Sequence, residues 1–472
     1  MQREQANAKT TGRIVSLASK RTKARARIAT QSDPRELDTA QRFVERNKDR
    51  LRYCVGKGGW LCYDGRRWAP DTLEQAREAV KAIADELRDE AAALSDDELW
   101  RHAKRVGSAK GIDAILALAR SDPRVVVSFD AFDADPWVLN CANGTVDLRT
   151  GQLRPHSPTD LISRISPVRF DAKATAPRFE SFLHEIQPDP EVRAYLARLF
   201  GCAAVGLVRE HVLGVLWGPG ANGKSVLADV ASYVLGDYAR PGASTLIVGA
   251  HNDSHPTDVA GIAGTRLVLV HETKRGASFD ASKVKLLTGG DRLTARFMRG
   301  DFFDFAPSHT LVMLSNYRPQ ADATDGGLWR RLQLVGFNIT IPEEQRDPEL
   351  TDKLRNEASG VLRWIVEGAR EWQRIGLSPP RAVREQTAAY RSAEDAIGQF
   401  IEERCVTNVP EAKVQAGALY QAFEQWCEST GIRPVRGNDF AMEITGRGFE
   451  RTVRSGRRFY GGIGLLADKD DR

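Results

Sequence analysis

The chain has 472 residues, 68 Lys and Arg against 63 Asp and Glu, a net charge of +5 and 42% hydrophobic residues. That length allows about three domains, and the apolar and charged fractions are those of an ordinary soluble globular protein. No apolar run reaches the roughly 18 residues of a membrane span, and the basic N-terminus lacks the apolar core of a secretory signal. The six cysteines are scattered without a CxxC pair. They suggest neither a zinc ribbon nor a disulfide framework, and reduced, buried thiols in a cytoplasm are the expectation.

Residues 1–30 carry eight Lys or Arg and one acid, Glu4, with no apolar period. Residues 1–37 therefore read as a disordered basic tail. Residues 42–68 alternate apolar and polar around Gly-rich turns, which predicts short hairpins. Residues 74–121 are Ala-, Glu- and Leu-rich at helical spacing and predict two or three helices. Strands return over 125–155, with Asn143-Gly144 and Thr150-Gly151 as turn signals, so 38–185 reads as one α+β domain. A helix over 189–208 leads into an apolar strand at 212–217, a Gly-rich loop and a helix at 225–235 stopped by Gly236. Further apolar strands fall at 266–270 and 310–315. Strands alternating with helices predict an α/β domain over 186–378, a parallel sheet covered by helices. Leu377-Ser378-Pro379-Pro380 reads as a hinge. Residues 379–472 form a small domain with helices near 383–404 and 415–430 and a basic hairpin at 449–460. That end repeats the charge bias of the tail, with Arg433, Arg436, Arg447, Arg451, Arg454, Arg457 and Arg458. A solvated tail is the plain alternative for each basic region; two of them favour a nucleic-acid partner.

The strongest signal is Gly218-Pro219-Gly220-Ala221-Asn222-Gly223-Lys224-Ser225. It fits G-x-x-x-x-G-K-[ST] with a strand before and a helix after. Glycines let backbone N–H groups converge on phosphate, and the helix N-terminus adds partial positive charge. Residues 218–226, including Val226, are the expected nucleotide cradle. ATP and Mg²⁺ are the expected cofactors, with Lys224 on the β/γ-phosphates and Ser225 on the metal. A carboxylate at the end of a neighbouring strand is also needed, and Val268-Leu269-Val270-His271-Glu272 supplies Glu272 to polarise water and help hold the metal. The preceding position is His271, so one carboxylate is available there. Asn316 closes another apolar strand, where an amide could orient the attacking water; ordinary turn chemistry is the alternative. Arg330 and Arg331 follow a Gly-rich loop and could reach a neighbouring subunit's phosphate site or form a surface ion pair. Between these lies a predicted hairpin with Arg299 at its Arg-Gly-Asp tip and Arg296 on its first strand, suited to gripping a phosphate backbone, or a plain surface turn.

These elements in this order resemble the superfamily 3 helicases, and more narrowly the phage and plasmid primase–helicase family that includes the poxvirus NTPase-primase. The resemblance rests on GPGANGKS at 218–225, VHET around Glu272, LLTGGDRLTAR at 286–296, LSNYRP at 314–319 and GGLWRRL at 326–332. Upstream, residues 135–139 and 143–151 look like that family's helicase-associated domain, and 396–465 look like its C-terminal DNA-binding domain, winged-helix-like in form. The resemblance covers about residues 40–465. It implies a P-loop AAA+ variant working as a hexameric ring on single-stranded DNA. Lys224, Ser225, Glu272 and Asn316 would act from one subunit and Arg330 and Arg331 from the next, with Arg299 at the channel.

The implied function is an ATP-dependent replicative DNA helicase of a phage or other mobile element, in a bacterial host cytoplasm. The short segment before the associated domain leads to the expectation of no primer synthesis by this chain and of a separate primase or polymerase partner. Two rivals are an AAA+ remodeller that does not unwind DNA and an origin-binding initiator that uses ATP as an assembly switch. The hairpin tip, paired arginines and basic flanks favour the motor.

Overall fold

A computed structural model describes residues 34–249, 256–271, 276–298, 301–407, 409–454 and 456–466. Residues 1–33 of the expected basic tail, Glu272 and Arg299 lie outside the described residues. The chain folds as two units: one from residues up to Ala134 with His156–Arg164, the other from Asp135–Pro155 with Ile165 onward.

The first unit opens with helix α1 (Pro34–Asn47), where the sequence had suggested the end of a tail and then a hairpin from residue 42. Ala40, Phe43, Val44 and Asn47 are buried, three and four apart, and that helical stripe outweighs the local alternation. Strands β1 (Leu51–Cys54), β2 (Gly59–Tyr63) and β3 (Trp68–Pro70) form an antiparallel meander. Helices α2 (Gln75–Leu94), α3 (Asp97–Val106) and α4 (Ala109–Ala119) follow. Asp96 and Ser108 cap α3 and α4 by accepting from the first-turn N–H groups.

The second unit begins with an antiparallel sheet of β4 (Val138–Cys141), β5 (Gly144–Asp147) and β6 (Gln152–Arg154). The expected domain boundary near residue 185 does not coincide with this division. Trp137, Leu139, Val146 and Leu148 share a core with the helices that follow, and the Trp137 ring stacks on Trp372 with centroids 6.0 Å apart. Next come α5 (Pro177–Ile186), α6 (Pro190–Val205), β7 (Leu213–Trp217), α7 (Lys224–Leu235), β8 (Ala239–Gly242), α8 (Pro256–Gly261) and β9 (Leu267–His271). Then come α9 (Ala281–Leu287), β10 (Leu293–Arg296), β11 (Phe302–Phe305), β12 (Thr310–Ser315), α10 (Gly326–Trp329) and β13 (Leu332–Gly336). Helices α11 (Leu350–Asn356) and α12 (Ala358–Ile375) complete this part.

Five strands form one all-parallel sheet in the order β13-β7-β12-β9-β8. Apart from the edge strand β8, its strands are largely apolar on both faces, as a doubly covered parallel sheet requires. Leu216, Leu269, Val312, Leu314 and Val335 face α6, α7 and α12. Leu213, Val215, Val268, Val270, Met313 and Leu334 face the side that includes Val284 and Leu287 of α9 and Leu328 of α10. Helices α6 and α12 cross backbone to backbone: a Cβ on Gly201 would overlap Ala369 N, and one on Gly368 would overlap Ala197 O.

The chain continues through α13 (Arg381–Glu394), α14 (Ala396–Arg404), β14 (Cys405–Val406), β15 (Lys413–Gln415), α15 (Ala416–Thr430) and α16 (Gly437–Gly446). It closes with β16 (Arg451–Arg454), β17 (Arg457–Gly461) and β18 (Gly464–Leu465). The expected basic hairpin is β16–β17, and β15 extends it into a three-stranded sheet of order β15-β17-β16. Phe400, Phe423, Trp426 and Phe440 make a separate aromatic core here. All six cysteines are buried and unpaired; burial pushes the Cys62, Cys141 and Cys202 thiols up to about 12 and Cys405 up to about 11. Among the described residues no helix is long and apolar enough to cross a membrane.

Candidate nucleotide site and basic hairpin

The loop 218–223 joins the C-terminal end of β7 to the first turn of α7. Two of its glycines, Gly218 and Gly223, are dictated by close neighbours. A Cβ on Gly218 would overlap Phe337 O, and one on Gly223, at φ 81°, would overlap the Ile186 side chain. Asn222 is buried and its Nδ2 donates to Phe337 O at 2.9 Å, while Ile341 N donates to Ala221 O at 2.8 Å. The loop is thus fixed against the segment after β13.

Lys224 is 4% exposed. Its Nζ donates to Gly218 O at 2.8 Å, Pro219 O at 3.3 Å, Asn222 Oδ1 at 3.1 Å and Asn316 Oδ1 at 2.9 Å. Every partner is a neutral oxygen, and burial holds the ammonium below the usual lysine range. Among the described residues, the backbone N–H groups from Gly220 to Ser225 donate to no hydrogen-bond partner. Unpaired donors at a helix N-terminus beside an uncompensated ammonium form an anion site, and a polyphosphate fits that donor set. Ser225 is exposed at the start of α7, and Val226 packs partly against the core.

Asn316 is brought to Lys224 because β12 is the direct neighbour of β7. Glu272 was expected on a strand neighbouring β7. The strand leading to it, β9, pairs instead with the far side of β12, so β12 intervenes. Order along the chain does not give order across a parallel sheet, because each crossover can step over a strand.

Arg330 and Arg331 precede β13, at the opposite edge of the sheet. Leu213 N, at the start of β7, donates to Arg331 O at 2.8 Å. The length of β7 therefore separates them from the loop, about 15 Å at roughly 3.3 Å per residue. Arg331 is held within its own chain: Nε donates to Thr288 Oγ1 at 3.0 Å and an Nη to Gly327 O at 2.8 Å. Arg330 is exposed. Lys285 and Asp325, 2.8 Å apart, join α9 to α10 beneath the pair; the Lys285 hydrogen bond holds the Asp325 carboxyl below its usual range.

The same edge carries the hairpin. Strands β10 and β11 pair antiparallel from Leu293–Phe305 to Arg296–Phe302. Arg296 is exposed, with its guanidinium 4.8 Å from the Phe302 ring centroid. Phe297 and Phe303 stack at 5.2 Å, and Phe297, Met298 and Phe302 are 49, 76 and 61% exposed. Exposed rings beside an exposed arginine suit stacking of unpaired bases. Sequence reasoning singled out the arginines and passed over these apolar residues, although an apolar hairpin tip in a charged stretch was a legible sign.

Arg318 was missed as well. Its guanidinium lies 4.1 Å from the Trp217 ring, directly before the loop, and 5.7 Å from Tyr390. Tyr390 on α13 donates to Pro319 O, so this stack pins the segment after Asn316.

The family model described as D5 N terminal like matches residues 40–188, and a family of unknown function (DUF5906) matches residues 216–331. A candidate helicase of Acanthamoeba polyphaga mimivirus is 28% identical over 322 residues, 63% of this chain and 33% of that protein. A candidate helicase of Frog virus 3 is 23% identical over 382 residues, 63% of this chain and 39% of that one. A candidate primase of African swine fever virus is 23% identical over 322 residues, with 62% and 33% covered. The chain thus spans about a third of the length of the curated relatives it matches. The solved NrS-1 C terminal region is similar with a TM-score of 0.48 at 10% identity, over 92% of this chain and 100% of that one. The family models and the viral relatives support a primase–helicase family.

Proposed function

We propose that this chain is the ATP-hydrolysing motor of a replicative DNA helicase, of the P-loop AAA+ type and of superfamily 3, working on single-stranded DNA as a homo-oligomeric, hexameric ring. The observation that carries the reading is the meeting of Lys224, Asn222 and Asn316 over a loop whose N–H groups from Gly220 to Ser225 have no acceptor among the described residues.

In this reading the N–H groups of 220–225 bind the phosphates and Lys224 exchanges its neutral acceptors for phosphate oxygens. Asn316, released from Lys224, orients the attacking water beside the terminal phosphate. Mg²⁺ would be held by Ser225 and Glu272 and supplies charge neutralisation when bound. Arg330 and Arg331 stand too far from their own loop to serve it. One of them serves the loop of an adjacent copy, and the exposed Arg330 is free to do so while Arg331 braces the corner through Thr288. The hairpin, with Arg296, Arg299 and the exposed phenylalanines, is the DNA-gripping element. The small C-terminal domain, winged-helix-like in its order of helices and strands, is a second DNA contact. The setting is the cytoplasm of a host cell.

The test is the steady-state ATPase rate with and without single-stranded DNA at two salt concentrations, for the wild type and Arg299→Ala. Stimulation by DNA that Arg299→Ala removes supports the motor. A rate indifferent to DNA overturns the helicase reading and favours the remodeller.

A further inference from the structure

The loop 218–223 shares both of its supports with a cavity of about 350 Å³. Ile186, which blocks a Cβ at Gly223, lines this cavity. On the other side, Phe337 O receives Asn222 and closes on Gly218, and its chain neighbours Gly336 and Asn338 also line the cavity. The cavity therefore lies directly beside the loop.

The lining suits a flat heterocycle. Ile186, Val192, Ile339 and Val383 supply apolar surface, which favours a ring stripped of water on both faces. One edge is polar and incomplete. Gln386 on α13 also lines the cavity, and its Oε1 is buried with no hydrogen-bond partner among the described residues. The amide lies against Gly336, where a Cβ would stand 2.5 Å from Oε1. Gln187, which also lines the cavity, is already used, its Nε2 donating to Gly336 O at 2.8 Å. A buried acceptor left unmet is costly, and a ligand donor in the same pocket removes that cost.

We propose that this cavity receives the base of the bound nucleotide and that Gln386 Oε1 accepts a hydrogen bond from an exocyclic amino group. The site then selects adenine over purines that carry a carbonyl at the same position, since a carbonyl would face another acceptor. The inference rests on the reading of 218–225 as the phosphate cradle. Because Thr387, next along α13, accepts from Leu334 N at 2.9 Å, the base also bears on the helix that braces β13.

The test is competition against a fluorescent ATP analogue with ATP, ITP and inorganic triphosphate, using the full chain. ATP and ITP differ in the amino and carbonyl groups at issue. The wild type is expected to bind ATP about tenfold tighter than ITP. Gln386→Leu should bring the two within about twofold while competition by inorganic triphosphate stays unchanged. Equal affinity of the wild type for ATP and ITP, a preference for ITP, or an unchanged ratio in Gln386→Leu overturns the proposal. The wild-type comparison decides even where the variant does not fold. Failure of the underlying cradle reads differently: inorganic triphosphate would not compete, and Lys224→Ala would bind ATP as tightly as wild type.

Discussion

The two edges of the parallel sheet differ in how they treat their cations. At the C-terminal edge, Lys224 is buried and meets four oxygens. At the N-terminal edge, Arg296 and Arg330 are exposed, and the rings beside Arg296 are exposed with it. A buried cation with neutral partners is a preformed site for one small anion, fixed in position and expensive to alter. Exposed cations among exposed rings suit a long polyanion that must be held and released. One sheet therefore presents a fixed site at one edge and a yielding surface at the other, and its strands are the rigid link between them.

The contrast can be broken most strongly at the cations that would meet at a shared site. Arg330→Ala should lower the ATPase rate by about 10³-fold, roughly 4 kcal/mol of transition-state stabilisation. Lys224→Ala should do at least as much damage, and mixing the two proteins should restore part of the activity. Loss of activity in Arg331→Ala but not Arg330→Ala would reverse their roles. A smaller effect, on stability, comes from His309 at the start of β12. It is 3% exposed, one ring nitrogen pairs with Leu287 O at 2.9 Å, and burial pushes its pKa down to about 4. The unfolded chain then binds the proton first. Stability is full above the ordinary histidine pKa, about 6.5, and falls as pH drops towards 4, by about 3 kcal/mol. Urea unfolding across that window should show the loss, and His309→Gln should flatten it. Smaller again is the effect of the exposed rings. Phe302→Ala should weaken single-stranded DNA binding by about tenfold, within the roughly 1–3 kcal/mol of one stacked base, while leaving the DNA-free ATPase rate intact. An unchanged affinity in fluorescence anisotropy would remove the hairpin from the DNA contact.

The loop was legible because eight consecutive residues carry its geometry and its glycines at 218 and 223 answer to particular neighbours. The apolar strands 213–217 and 310–315 were legible for a related reason, being buried on both faces. What spacing could not reveal was lateral order. That β12 stands between β7 and β9 depends on the crossovers, and no residue of β9 encodes it. The helix at 34–47 was missed because alternation and helical spacing overlap over so short a stretch. The tethering of Arg331 by Thr288 joins residues 43 apart in sequence, beyond any local pattern. Gln386 drew no notice, since an isolated glutamine on a helix becomes informative only when its carbonyl is found buried and unmet.

The buried cysteines have a practical consequence for labelling this protein. Thiolate is the species that reacts with maleimides, and thiols that are enclosed, several of them also held far above neutral pH, stay silent. A cysteine placed at Met298, which is 76% exposed beside the hairpin tip, would be the one fast-reacting thiol among the described residues. A dye attached there could report displacement of the hairpin during a catalytic cycle without first stripping the six native cysteines from the core.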